Sequence, residues 1–243
     1  MLFSAFAYAE EPSYKLLEHY LFEWPITKKE FDNWNTHKSA VMTKNNGIIV
    51  PEVADARGAM NHKWFTEQAM DSWICDIKMR IGNDDKTSRG GNGVGIYYLN
   101  SFNREDIGKD LFGYTKQYDG FAVILNTILS GRTGNGDELG NYIQAFSNDG
   151  TKQVNPVAST KGEDVKNCLR KIRNLPDDRQ FHLRVEYHKP SVLIYTWNYD
   201  NNDFESCITM DVDLSQQGVW MITAGNGMKN PDHVYLDVFA LYD

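Results

Sequence analysis

Proline and cysteine are scarce in this chain, at 7 and 3 of 243 residues, and no segment is polar or repetitive enough to read as disordered. Aromatic residues make up 13%, which supplies apolar area for a packed interior, so the chain reads as folded. No run reaches the roughly 18 consecutive apolar residues that span a bilayer. There is no Asn-x-Ser/Thr sequon, because in Asn126-Thr127-Ile128 and Asn100-Ser101-Phe102 the hydroxyl residue comes one place too early. Lysine and arginine do not cluster, and the net charge is -8 with both signs interspersed. A surface that tracks phosphates needs concentrated positive charge, so nucleic acid is not an expected partner. Zinc-ligand spacing and a nucleophile elbow are missing as well.

What is present is period-two alternation. Trp73, Cys75, Ile77, Met79 and Ile81 fall on one face, with Asp76, Lys78 and Arg80 on the other, the signature of a half-buried strand. The pattern returns in Phe181-Leu183-Val185-Tyr187 against His182-Arg184-Glu186, in Val192 to Trp197, in Ile208-Met210-Val212 and in Tyr235 to Tyr242. Turn signals separate these runs: Lys189-Pro190-Ser191, Asp200-Asn201-Asn202, Gln217-Gly218 and Gly225-Asn226-Gly227. Many strands at short spacing predict two packed antiparallel sheets, an all-β sandwich. Tyr14 to Trp24 leads into a first edge strand, and Gly131 to Gly140 is a glycine-rich loop joining two strands. Val165, Cys168, Leu169 and Ile172 fit a helix by spacing and fit equally a loop leading into a strand.

No linker divides the chain, so residues 13–243 form one domain. Residues 1–12 stand apart: Met1 to Ala9 is apolar and ends in Ala7-Tyr8-Ala9 before Glu10-Glu11, which fits a clipped signal-peptide remnant or an ordinary N-terminal extension. Three cysteines permit one internal bridge and a leftover thiol. Cys75 lies within an alternating strand, whereas Cys168 and Cys207 sit beside charged, turn-rich sequence. On the residues alone, a bridge and three idle thiols are both open.

Several chemistries can be weighed and set aside. Gly91-Asn92-Gly93-Val94-Gly95 has the look of a phosphate loop, but Ile96-Tyr97-Tyr98-Leu99 after it reads as a strand, and the helix N-terminus that would hold phosphate is missing. A sandwich-fold glycosidase needs paired carboxylates across the scissile bond. Asp211-Val212-Asp213 and Asp232 with Asp237 are the nearest groupings, and they read as solvated loop charges. His182 and His188 are expected on a strand's exposed outer face.

Trp34-Asn35, Ile48-Ile49-Val50-Pro51, Arg57-Gly58-Ala59, Trp73, the Gly91-to-Tyr98 block, Phe112-Gly113-Tyr114, Asp119-Gly120-Phe121 through Asn126-Thr127, Asn148-Asp149-Gly150, Asn167-Cys168, Arg173-Asn174, Phe204-Glu205-Ser206-Cys207 and Gly218-Val219-Trp220 follow one another in order. In this order they resemble the L-type (leguminous-type) lectin domains of early-secretory-pathway cargo receptors. The resemblance implies a concanavalin-like jelly roll that is not an enzyme. It also implies residence in the ER or Golgi lumen, a glycoprotein glycan of the high-mannose type as ligand, and a membrane anchor outside this chain. A protein-interaction module on the same fold, its sugar groove inert, is the alternative. Alignment with the family bridge implies a Cys168–Cys207 disulfide, with Cys75 a free thiol.

The site residues carry over one by one. The sugar-contacting aspartate corresponds to Asn92 and the calcium aspartate to Asn126. The backbone-carbonyl ligand corresponds to Ile128 and the calcium asparagine to Ser130, while the second calcium aspartate falls near Ser159 to Lys161. The sugar loop corresponds to Gly225, Asn226, Gly227 and Met228. Calcium takes six to eight oxygens, with affinity that follows their charge. This set brings no carboxylate, so no cofactor is expected and the metal site is degenerate.

Overall fold

A computed structural model describes residues 14–66, 69–85, 91, 93–110, 112–128, 141–155 and 166–243. Residues 1–12 and the 131–140 loop lie outside the described residues. In chain order the strands are β1 (Phe22–Glu23), β2 (Trp34–Lys38), β3 (Val41–Met42), β4 (Gly47–Val50), β5 (Arg57–His62), β6 (Ser72–Gly82), β7 (Gly93–Leu99) and β8 (Asp119–Asn126). They continue as β9 (Asn141–Asp149), β10 (Lys166–Arg170), β11 (Phe181–His188), β12 (Ser191–Asn198), β13 (Asp203–Asp211), β14 (Val219–Gly225) and β15 (His233–Tyr242). A short helix α1 (Lys28–Asn33) precedes β2.

The strands form two antiparallel sheets. The eight-stranded back sheet runs β13-β12-β11-β6-β15-β4-β3, with β1 also on β15, and the seven-stranded front sheet runs β10-β9-β8-β7-β14-β5-β2. The alternation explains the back sheet directly: Trp73, Cys75, Ile77 and Met79 of β6 are fully buried, as are Leu183, Val185 and Tyr187 of β11. Large rings knit the sheets together. Trp73 meets Trp220 edge-on at 5.1 Å between centroids, Trp220 meets Phe239 at 5.5 Å, and Phe239 meets Trp34 at 5.0 Å. Each such pair adds about 0.5–1.5 kcal/mol beyond area burial. Near Gly58 the sheets come so close that a Cβ there would lie 1.9 Å from the Ile49 carbonyl oxygen.

β7 does not alternate, because all seven of its residues are buried. Val94, Ile96 and Tyr98 enter the core between the sheets, while Tyr97 and Leu99 join a second apolar cluster with Ile107, Phe112, Tyr114 and Tyr118. The segment after β7 thus folds back over the outer face of the front sheet. That covering turns a half-exposed strand into one buried on both faces.

The 165–172 ambiguity resolves as a strand, β10, which pairs with β9 at the edge of the front sheet. Cys168 of β10 is bonded to Cys207 of β13 with a Cα–Cα distance of 5.5 Å. The bridge links the front-sheet edge to the back-sheet edge. Cys75 is a buried free thiol, and burial pushes its pKa well up.

Two expectations about polar residues need correction. His182 is not a free surface histidine: its Nε2 lies 3.2 Å from Asp76 Oδ1, and its ring packs on Phe204. Asp76, placed by alternation on the solvent face, is only 9% exposed and accepts two hydrogen bonds from Arg184 at 2.9 and 2.8 Å. Asp232 and Asp237 are not solvated loop charges either. Both are buried and each is paired with an arginine. Helix α1 was not read from the sequence at all, although its Thr27-Lys28-Lys29-Glu30 start is a capping box.

Candidate functional site

Strand register decides which of the sequence-derived site residues meet. In the front sheet Gly93 of β7 pairs with Asn126 of β8 on one side and with Gly225 of β14 on the other, and Gly225 pairs onward with Arg57 of β5. Asn126 and the Gly225–Met228 loop, far apart in sequence, therefore sit at one end of the sheet, two strands apart. Gly93 holds the middle of this row with φ +151, and a Cβ on it would come 2.3 Å from the Leu125 carbonyl oxygen. A side chain there would push β7 off β8. Asn92 and Ser130 lie outside the described residues, as do Ser159 to Lys161.

The walls of this row are fixed from beneath by a buried polar knot. Asp232 is 1% exposed. Its Oδ1 accepts from Arg173 Nη2 at 2.6 Å, and its Oδ2 accepts from the Gly91 amide at 2.8 Å. Asn226 Oδ1 accepts from the Asp232 amide at 2.9 Å, while Asn226 Nδ2 donates to the carbonyls of Pro51, Val53 and Asp232 at 3.0, 3.2 and 2.8 Å. Arg57 donates to the Asn226 carbonyl and, at 3.1 Å, to the Asp110 carbonyl. One carboxylate thus ties the entry to β7, the turn after β14 and the segment after β10 into a single body. A Cβ on Gly91 would approach Asn226 Oδ1 to 2.6 Å, so this backbone is pressed against the knot. Asn226 faces inward, and its side chain serves the loop.

At the β8 end, Asn126 is half-buried and its Oδ1 accepts from the Ile128 amide at 3.0 Å, closing an Asx turn. Buried Asn141 donates to the Thr127 carbonyl at 3.0 Å and holds that turn against β9. The rim is apolar. Met228 is 77% exposed and Ile128 39%. Asn141 and the roles of Arg173 and Asp232 escaped sequence reasoning: Arg173 enters it only as half of the Arg173-Asn174 block and Asp232 only as a solvated loop charge, and Asn141 carries no signal beyond its place beside a glycine-rich stretch.

The chemistry of the donor set is amide, carbonyl and hydroxyl, a poor match for calcium, whose protein sites use carboxylates. Among the described residues no three His, Cys, Asp or Glu side chains gather in a way that could hold a metal. A cavity of about 600 Å³ is not at the row itself. It lies on the back-sheet side of the same pole, lined by Asn83, Asn174, Arg179 and His233 among others.

The legume-like lectin family profile matches residues 13–242. Among solved structures, the VIP36 exoplasmic/lumenal domain with Ca²⁺ and Man3GlcNAc bound is 19% identical, with a TM-score of 0.76 over 93% of this chain and 89% of that one. The legume lectin-like domain from Entamoeba histolytica is 20% identical, with a TM-score of 0.74 over 94% and 99% of the two chains. The Emp47p carbohydrate recognition domain is 18% identical, with a TM-score of 0.74 over 94% and 97%. At these identities the likeness is one of fold. No curated relative matches the chain by sequence.

Proposed function

This chain belongs to the legume-like lectin family, whose members are non-enzymatic carbohydrate-binding proteins, and on that premise we propose that it binds a high-mannose-type glycan without calcium. The binding groove is the row end bounded by Asn126 and the Gly225–Met228 loop, and Asn92, which lies outside the described residues, is proposed as a sugar contact from the family correspondence alone. The observation that carries the reading is the meeting of Asn126, Gly93 and Gly225 in adjacent register, over a buried knot of protein hydrogen bonds that holds the loop. Sugar specificity comes from a few rigid polar groups that replace water around hydroxyls. Here Asp232, Arg173 and Asn226 supply rigidity to the loop wall, whereas the Asn126 side, an Asx turn that Asn141 holds through the Thr127 carbonyl, has no buried ion pair among the described residues. Part of the ordering cost therefore falls on binding, and the affinity is weak.

VIP36 has been solved with mannose-containing ligands, which supports the sugar class proposed here. The Cys168–Cys207 bridge supports an oxidising compartment. The role proposed is that of a luminal receptor or sorting protein of the early secretory pathway. A second reading, recognition of a partner protein at the same pole, is favoured by the exposure of Met228 and Ile128 on the rim.

A glycan array probed with calcium and with chelator tests the proposal. The expected result is weak high-mannose binding that chelator leaves unchanged and that Asn92→Ala abolishes. Tight binding that requires calcium overturns the metal-free reading. Silence toward every glycan transfers the groove to the protein-partner reading.

A further inference from the structure

The outer face of the back sheet carries a second pocket built of fixed polar groups. β15 bulges between Leu236 and Val238, and bulges re-aim side chains. Here the extra residue is Asp237, which meets Arg80 of the neighbouring strand. Arg80 donates to both carboxylate oxygens over 2.6–3.1 Å, Gln180 Nε2 donates to Oδ2 at 3.0 Å, and Arg80 also donates to Asn46 Oδ1 at 2.8 Å. The Arg80 guanidinium lies 5.0 Å above the Tyr235 ring. This network lines a cavity of about 460 Å³ whose wall includes Trp24, an indole left 60% exposed.

Charge and geometry narrow the ligand class. The carboxylates of Glu23 and Asp237 are matched by Lys78 and Arg80, so the lining carries no net formal charge and favours neither a phosphate nor a metal cation. Gln180 Oε1, Asn46 Nδ2 and the side chains of Asn45 and Lys78 make no hydrogen bond among the described residues, and they line the cavity with uncommitted donors and acceptors. An extended peptide would need a free strand edge, but β6 and β15 are both paired on each side, and β1, which pairs with β15 alone, is only two residues long and offers too short an edge for strand addition. A broad aromatic face beside rigid amides suits a pyranose, whose C–H face can lie on indole while its hydroxyls exchange hydrogen bonds with planar side chains.

We propose that this pocket is a second saccharide site, for a neutral sugar, separate from the groove between Asn126 and Gly225. Amide and side-chain NMR of the whole chain, titrated with mannobiose, cellobiose and N-acetylchitobiose in turn, tests it. At least one of the three should move the Trp24 indole N–H and the Gln180 and Asn46 carboxamide signals saturably. Trp24→Ala should weaken that binding by about tenfold or more, with Trp24→Phe retaining part of it. Trp24 and Asn45 are both exposed, so Trp24→Ala and Asn45→Ala should keep the wild-type melting temperature, and Asn45→Ala should lower affinity severalfold. No saturable shift at these signals, or a shift unchanged in Trp24→Ala, overturns the proposal. Failure of the groove reading is read separately, from motionless amides in Gly225 to Met228.

Discussion

Replacing Asp232 by Asn keeps the shape of the side chain and removes its charge, and it tests whether one buried carboxylate organises the candidate groove. Asp232 and Arg173 have side chains 2% and 3% exposed and meet at 2.6 Å. Breaking a buried pair from one side leaves the partner's charge desolvated, which costs about 3–5 kcal/mol. For a domain of this size each kcal/mol lowers Tm by roughly 2–4 °C, so the expected drop is about 6–20 °C. Arg173→Met alone should cost a similar amount, since it strands the carboxylate instead. The double variant removes both charges and should be less destabilised than the sum of the singles by about 2 kcal/mol or more. Urea unfolding of the four proteins supplies the cycle, with the slope checked for constancy. Additive costs, or an Asp232→Asn loss under about 1 kcal/mol, would refute the assignment of Asp232 as the tie between the Gly91 backbone and the turn after β14.

The Cys168–Cys207 bridge spans a sequence separation of 39, so Cys168→Ser with Cys207→Ser should destabilise by about 4 kcal/mol on loop entropy, read by denaturant unfolding; peptide mapping should find Cys75 unmodified until the protein unfolds. Calcium at millimolar levels should leave Tm unmoved, because only a ligand that binds the folded state stabilises it; a rise reversed by chelator would overturn the calcium-free reading. Burial lowers the pKa of His62 below its ordinary value despite hydrogen bonds to the Trp64 and His19 carbonyls, which raise it. A depressed folded-state value means stability that is full above the unfolded pKa of about 6.5 and is lost as pH falls through the folded one. Unfolding free energies measured below pH 6.5 should fall accordingly, and a pH-independent stability there, or an NMR titration of the His62 ring at or above the ordinary value, would contradict it.

The back sheet was legible in the sequence because one face of β6 and of β11 is buried and the other is not, which writes a period of two into Trp73 to Ile81 and Phe181 to Tyr187. Turn residues between the runs marked the hairpins, and the family blocks identified the sandwich and the Cys168–Cys207 pair. β7 resisted the same treatment, since its outer face is covered by residues that arrive later in the chain, and a strand covered on both sides loses its alternation. The strand over Lys166–Arg170 was ambiguous because its residues are mostly half-exposed at a sheet edge, where local spacing fits helix and strand alike. Of the candidate groove, the sequence by itself marked Asn126 and the Gly225–Met228 loop, and only register across β8, β7 and β14 put them side by side. The aspartates show the limit most plainly: Asp232 and Asp237 look like turn charges until the fold buries each against an arginine distant in sequence. A carboxylate's neighbours in sequence do not determine its solvent exposure or its ion partner. Those depend on which distant strands the packed core brings to it, and that only the tertiary structure decided.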